Sequence, residues 1–278
     1  VWQASMGRRI DSLISSGNGV VVCILETSVL VLEAGTGRLK FQNDHLFSPN
    51  PGISGVPCGT SLLSVACSNE ILFVGFVVAT EIEEECLDLE FPHVTAMNLE
   101  SGQASWRDVL FWEGVEMSGP KYCKESGTVI AGTASDLAAG CLITWNASTG
   151  QRIACIKFHH RVHSMTVAHG LAALVLDPRE HSYGILLRED ASEAEKAKEV
   201  YDIVVRSAHA ELFRIRTPPN GYVSSLWLTV EGLLCWVNYT GDVHLLDIST
   251  GAIVLQTTMG SKGFWQIVLH EQKDHLEG

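Results

Sequence analysis

No apolar run in this chain is long enough to cross a bilayer. The longest, Ile71 to Ala79, falls far short of the roughly 20 residues that a spanning helix needs, so no transmembrane helix is expected. Basic charge is scarce as well: 19 Lys and Arg stand against 32 Asp and Glu, a net charge of −13. Such a surface repels phosphate, which argues against nucleic acid or an anionic membrane as the main partner. With 46% hydrophobic and only 18% charged residues, disordered, collagen-like and coiled-coil classes are excluded. No Gly-x-Ser-x-Gly elbow and no recognisable Cys/His pairing is present, so nucleophilic catalysis has no visible signature. The chain opens on Val1 with no basic stretch leading into an apolar segment, and is expected to be a fragment or a processed product. None of the 8 cysteines is adjacent to another. Most lie inside strand-like runs, where buried free thiols in a reducing compartment are expected. The sequons at Asn146 and Asn238 coincide with expected turns, which by itself accounts for their composition.

What the chain does have is a repeat. Short runs of Val, Ile and Leu alternate with turn residues, the pattern of many short strands and few helices. Ile10-Asp11-Ser12-Leu13, Leu62-Leu63-Ser64-Val65, Val162-His163-Ser164-Met165 and Val223-Ser224-Ser225-Leu226 share one form, each with a second apolar run behind it. A second unit closes each repeat: Thr36-Gly37, Ser101-Gly102, Thr149-Gly150 and Thr250-Gly251 each follow one strand and precede another. An acidic or amide side chain before these turns can accept backbone N–H groups, and Gly supplies the positive φ. The spacing gives a unit of about 50 residues with four strands. Full units are expected over 10–41, 62–107, 119–157, 161–215 and 222–258, with a partial one over 263–271 that makes six or more units conceivable once complete. A four-stranded unit cannot bury both faces alone, and radial packing of such sheets solves this. The expected fold is therefore all-β, a single β-propeller of four-stranded antiparallel blades over residues 1–278. Trp2-Gln3-Ala4-Ser5 is a candidate outer strand for the last blade.

The residues also carry a family resemblance. Ala96-Met97-Asn98-Leu99-Glu100-Ser101-Gly102-Gln103-Ala104-Ser105-Trp106 resembles the A-x-D-x-x-T-G-x-x-x-W repeat of quinoprotein-dehydrogenase-like (PQQ-like) propellers. Val31 to Phe41 is similar, with Phe41 in place of the docking Trp. Thr144-Trp145-Asn146-Ala147-Ser148-Thr149-Gly150 resembles the W-D-x-x-T-G segment of WD40 blades, and Leu246 to Gly251 does so less fully. The resemblance implies the propeller fold; the repeat, the inserted segments and the missing catalytic groups point to a protein-interaction role. The catalytic quinoproteins it also brings to mind carry calcium ligands, an active-site Asp and often a vicinal disulfide; this chain has no adjacent cysteines, and no catalytic residue or cofactor is assigned.

Candidate sites follow from departures in the repeat. Glu81, Glu83, Glu84, Glu85, Asp88 and Glu90 lie where other units have a short turn, and are expected to form an acidic loop for a protein partner. Glu193, Glu195, Lys196 and Lys198 lie in the one stretch of strong helix formers, with Ser192 and Glu195 spaced as a capping box for a short helix. His159, His160, His163, His169 and His181 crowd one region but show no ligand spacing, so no metal is assigned. Ser12, Ser64, Ser164 and Ser225 would sit near a central channel, where repetition argues for a shared structural hydrogen bond. Trp106, Trp112, Trp145, Trp227, Trp236 and Trp265 are expected to pack blades. Gly37, Gly102, Gly150 and Gly251 mark the repeat turns. The expected function is a non-enzymatic interaction scaffold or complex subunit in the cytoplasm or nucleus. Alternatives are the substrate-recruiting propeller of an F-box-type ubiquitin ligase receptor, although no F-box is visible, and a ligand-binding or quinoprotein-like enzyme using the channel.

Overall fold

Val, Ile and Leu suit a pleated, buried surface, and the runs of these residues become strands separated by tight turns. The computed structural model describes residues 3, 9–16, 18–25, 28–44, 56–82, 87–110, 116–134, 140–177, 200–218, 223–229, 231–238 and 240–259, with backbone alone at 56–61, 79–82, 87–91 and 116. The first sheet contains β1 (Ile10–Ser16), β2 (Val20–Leu25), β3 (Ser28–Glu33) and β4 (Leu39–Asn43). The second contains β5 (Val56–Cys67), β6 (Ile71–Ile82), β7 (Leu87–Asn98) and β8 (Ala104–Val109). In the third are β9 (Glu116–Cys123), β10 (Thr128–Ala134), β11 (Gly140–Asn146) and β12 (Arg152–Phe158). The fourth holds β13 (Arg161–Ala168), β14 (Leu171–Asp177), β15 (Asp202–Arg206) and β16 (Glu211–Arg216), and the fifth β17 (Val223–Leu228), β18 (Leu233–Asn238), β19 (Asp242–Asp247) and β20 (Ala252–Thr258). Each sheet is a four-stranded antiparallel meander in chain order, the fold expected from the repeat.

Burial within a sheet follows strand position. Middle strands such as β2, β10 and β14 are buried along almost their whole length, because sheets cover both of their faces. Fourth strands such as β12 and β16 alternate between exposed and half-buried residues. First strands of successive sheets touch one another, β1 on β5, β5 on β9, β9 on β13 and β13 on β17, so the sheets radiate from the side where those strands gather.

Apolar clusters join neighbours in order. Val22, Ile24 and Val31 of the first sheet pack on Leu72, Val74, Phe76 and Met97 of the second. Phe73, Val94 and Ala96 meet Val129, Ile143 and Trp145 of the third. Ile130 and Leu142 then meet Val162, Met165 and Leu174, and Val175, Ile203 and Val205 meet Leu234, Trp236 and Leu246. The six cysteines whose side chains are described are free; against the expectation of burial, Cys155 is exposed and Cys67 half-buried.

The acidic segment differs from the expected loop. Strand structure runs on through Ile82 and resumes at Leu87, and β5 pairs along the extension, with Val56 opposite Glu81. Glu and Asp are poor strand formers, but two neighbouring strands supply a ladder that overrides propensity. Glu83, Glu84, Glu85 and Cys86 fall outside the described residues, as do Glu193, Glu195, Lys196, Lys198 and the helix expected around them, and also His181, Trp112, Trp265 and residues 1–2 and 4–5.

Candidate interaction surface

The repeat turns set the frame on which any surface is built. Gly37, Gly102, Gly150 and Gly251 have φ of 72°, 71°, 71° and 72°. Each donates its N–H to the carbonyl of the residue that ends the third strand, Glu33, Asn98, Asn146 and Asp247, at 2.8–2.9 Å. The Oδ1 of Asn98 accepts the N–H groups of Glu100 and Ser101, that of Asn146 those of Ser148 and Thr149, and that of Asp247 those of Ser249 and Thr250. The fourth sheet turns differently: Ser207 Oγ accepts from His209 and Ala210, with no glycine. Asn146, a sequon residue, thus has its side-chain oxygen engaged by its own turn.

Two of these glycines are also docking points. A Cβ built on Gly102 would lie 2.8 Å from the ring of Phe41, and one on Gly150 would lie 2.5 Å from Trp106. The aromatic that ends one repeat therefore lies flat against the turn of the next. Trp106 also donates its indole N–H to the carbonyl of Ala147 at 2.8 Å. Beneath it, the buried Trp145 donates to Asp108 Oδ2 at 2.6 Å, and Arg152 grips the same carboxylate through Nε and Nη2 at 2.6 and 3.1 Å. Asp108 belongs to the second sheet and both partners to the third, so this one carboxylate ties the two together.

The repeated serines mark a β-bulge. In β1, β5, β13 and β17 one residue is left over in the ladder, Asp11, Leu63, His163 and Ser224, and the serine follows it. A fifth serine, Ser118, holds the same place opposite Gly132 in the third sheet, with the bulge on its other side at Gly119-Pro120. The shifted bulge hid this copy from sequence comparison. The expected shared hydrogen bond is not uniform: Ser164 Oγ is buried with no partner among the described residues, whereas Ser224, one place earlier in β17, donates to Val237. His159 and His160 sit at the bend between β12 and β13, while His163 occupies a bulge. Among the described residues no group of three or more His, Cys, Asp or Glu could hold a metal ion.

The acidic ribbon is the largest departure from the repeat. β5, β6 and β7 have 12 residues each, whereas first, second and third strands of the other sheets have 5–8. Register pairs Glu81 with Asp88 and Ala79 with Glu90, and in between Ile82 with Leu87, Thr80 with Leu89 and Val78 with Phe91. Because strand positions alternate between faces, Glu81, Asp88 and Glu90 share one face and Ile82, Leu87, Leu89 and Phe91 the other. Phe76 and Val78, earlier in β6, pack on the first sheet.

No family model matches the chain, and no curated protein matches it in sequence. Solved structures do match. A chain of the "Crystal Structure of Mitotic Checkpoint Complex" aligns with a TM-score of 0.55 and 16% identity over 92% of this chain and 67% of its own. The "Crystal structure of RRP9 WD40 repeats" aligns more loosely, with a TM-score of 0.45 and 10% identity over 93% of this chain and 83% of its own. At 16% identity the first of these likenesses is one of fold alone. The chain has the fold of a β-propeller of four-stranded antiparallel blades, and the WD40-like and PQQ-like sides of the resemblance rest on sequence motifs. No described helix is long and apolar enough to cross a membrane.

Proposed function

We propose that this propeller is a non-enzymatic protein-interaction scaffold or complex subunit, and that the acidic ribbon of the second sheet is its main docking element. The observation that carries this reading is the ribbon itself. Blade packing is complete with strands of 5–8 residues in the other sheets, so the added length of β5, β6 and β7 serves something beyond packing. Its acidic composition suits a basic partner surface. Free cysteines throughout the described residues fit a cytoplasmic or nuclear location. The segment containing Glu193, Glu195, Lys196 and Lys198 is a second candidate docking element.

The test is quantitative co-precipitation with the full chain and two shortened variants, one with 79–90 replaced by an Asn-Gly turn and one lacking 189–200. Loss of specific partners from the first variant, and weaker capture as salt rises, is expected. Retention of every partner by both variants would overturn the docking assignment. A thermal-shift screen with quinones, calcium and nucleotides checks the non-enzymatic part: a large, specific shift would instead favour a ligand site.

A further inference from the structure

The outer strand of the fifth sheet is an edge without the usual defences. A strand with one neighbour presents a row of unpaired N–H and C=O groups, and proteins discourage chance pairing there with charged side chains, proline, bulges or a covering segment. The outer strands of the other four sheets all carry charge: Lys40 in β4, Arg107 and Asp108 in β8, Arg152 and Lys157 in β12, and Glu211, Arg214 and Arg216 in β16. In contrast β20, Ala252-Ile253-Val254-Leu255-Gln256-Thr257-Thr258, has no charged residue and no proline. Its one neighbour among the described strands is β19, and every one of its residues is exposed.

Its side chains depart from the repeat as well. Ile253, Val254 and Leu255 are 56%, 58% and 49% exposed in succession, whereas the exposed large apolar residues of the other outer strands, Leu39, Ile153 and Leu212, stand singly. The register shifts at Val254, but β4, β8, β12 and β16 shift at the matching place, so this bulge belongs to the repeat and is no special guard. Beyond it the ladder is regular from Leu255 to Thr258. Met259 donates its N–H to the carbonyl of Gly241 at 2.9 Å. Bonding alternates along an antiparallel pair, so Thr258 and Gln256, opposite Asp242 and His244, turn their N–H and C=O groups away from β19.

The chemistry that satisfies such an edge is another extended strand, and the sequence of β20 suits its own copy. In an antiparallel pairing with Gln256 opposite its counterpart in a second copy, the two outward-facing backbones exchange N–H and C=O bonds at the two-fold axis. Val254 then lies opposite Thr258, and Leu255 opposite Thr257. That register sets no charge against a like charge, although each copy as a whole carries −13. Each edge satisfies the other, so assembly closes at two copies. A single strand pair is a small contact, which makes the association weak and dependent on concentration.

We propose that β20 is a self-association edge, through which two copies of this chain join their four-stranded fifth sheets into one continuous antiparallel sheet across Gln256. This does not depend on the docking role of the acidic ribbon, and salt separates the two. Copies of a chain with net charge −13 repel, so screening should tighten the dimer, whereas it weakens capture of a basic partner. Light scattering of the purified full chain over a concentration series should show a monomer and dimer in equilibrium, shifted toward the dimer at high salt. Gln256→Lys, which sets two charges face to face at the axis, should weaken the dimer at least tenfold. Gln256→Pro should do the same, since it removes an outward N–H and spares the ladder to β19. Both variants should keep the urea midpoint of the unsubstituted monomer. In Gln256→Cys, mild oxidation should give a dimer linked between the two 256 positions, identified by mass spectrometry, because directly opposed bonded residues lie within disulfide reach. A chain that stays monomeric at every concentration and salt, or a dimer that both the Lys and Pro variants leave intact, would overturn the proposal. So would assemblies that grow past two copies, or a foreign protein held by the monomeric chain and lost in Gln256→Lys, which would assign the edge to a different strand.

Discussion

A single atom separates the two kinds of repeat turn. Gly150 and Gly251 share the same left-handed backbone, which costs a residue with a Cβ roughly 1–2 kcal/mol. At Gly251 nothing lies within 4 Å of an added Cβ, whereas at Gly150 it would meet the Trp106 ring at 2.5 Å. Gly251→Ala should therefore lose about 1 kcal/mol and Gly150→Ala about 3 kcal/mol, strain and overpacking together, by urea denaturation. Equal losses would show that the ring does not press on the turn. His93 raises a different question at the same scale. It is fully buried, stacks on Phe76 at 5.0 Å, and neither ring nitrogen has a partner among the described residues. Burial, with Arg107 nearby, holds its pKa down at about 4 against an ordinary 6.5. Below pH 6.5 the unfolded chain takes up a proton that the folded one refuses, so stability falls as pH drops toward 4, by roughly 3 kcal/mol in full. His93→Phe should flatten that limb of the stability–pH curve. An unchanged curve would place the acid sensitivity elsewhere. The turn glycines were legible in the sequence because their partners are local; the docking of Phe41 on Gly102 was not, because it joins separate repeats.

At the scale of strands and joints, the blades are alike in outline and individual in how they meet. Opposite the repeated serine, β6 and β10 carry glycine, and both are tight: a Cβ on Gly75 would meet Met117 and Pro120 at 2.5 and 2.6 Å, and one on Gly132 would meet Val162 at 2.4 Å. Both contacts bring a first strand of the next sheet close enough to exclude any side chain. The joint between the second and third sheets adds Asp108, which accepts from Trp145 and Arg152. Asp108→Ala leaves the fully buried Trp145 N–H without its acceptor, a loss of about 1–3 kcal/mol. Asp108→Asn keeps an acceptor oxygen and should recover most of it. If both variants lose equally, the Arg152 charge pairing dominates the joint and the indole bond does not. Periodicity exposed the strands in the sequence, yet the acidic run read as a loop, since composition favoured one and only pairing with β5 and β7 decided otherwise. Ser118 escaped for a similar reason: a displaced bulge breaks a pattern that the ladder preserves.

For the whole molecule, the question is whether the sheets behave as a stack or as a ring. Each described cluster joins only neighbours in sequence, and a stack of that kind unfolds piecewise because each unit is held by the next. The number and form of the repeats could be read from the chain because every unit reuses the same turn and first-strand pattern. Closure could not, because it concerns the outer faces of the first and fifth sheets, which no repeat motif describes. If those two faces are held together, the sheets form one cooperative unit. Urea unfolding of the full chain should then give coincident transitions whether followed at the second and third sheets, through Trp106 and Trp145, or at the fifth, through Trp227 and Trp236. Separate transitions, with the fifth-sheet signal moving at lower urea, would mean that the sheets behave as an open stack.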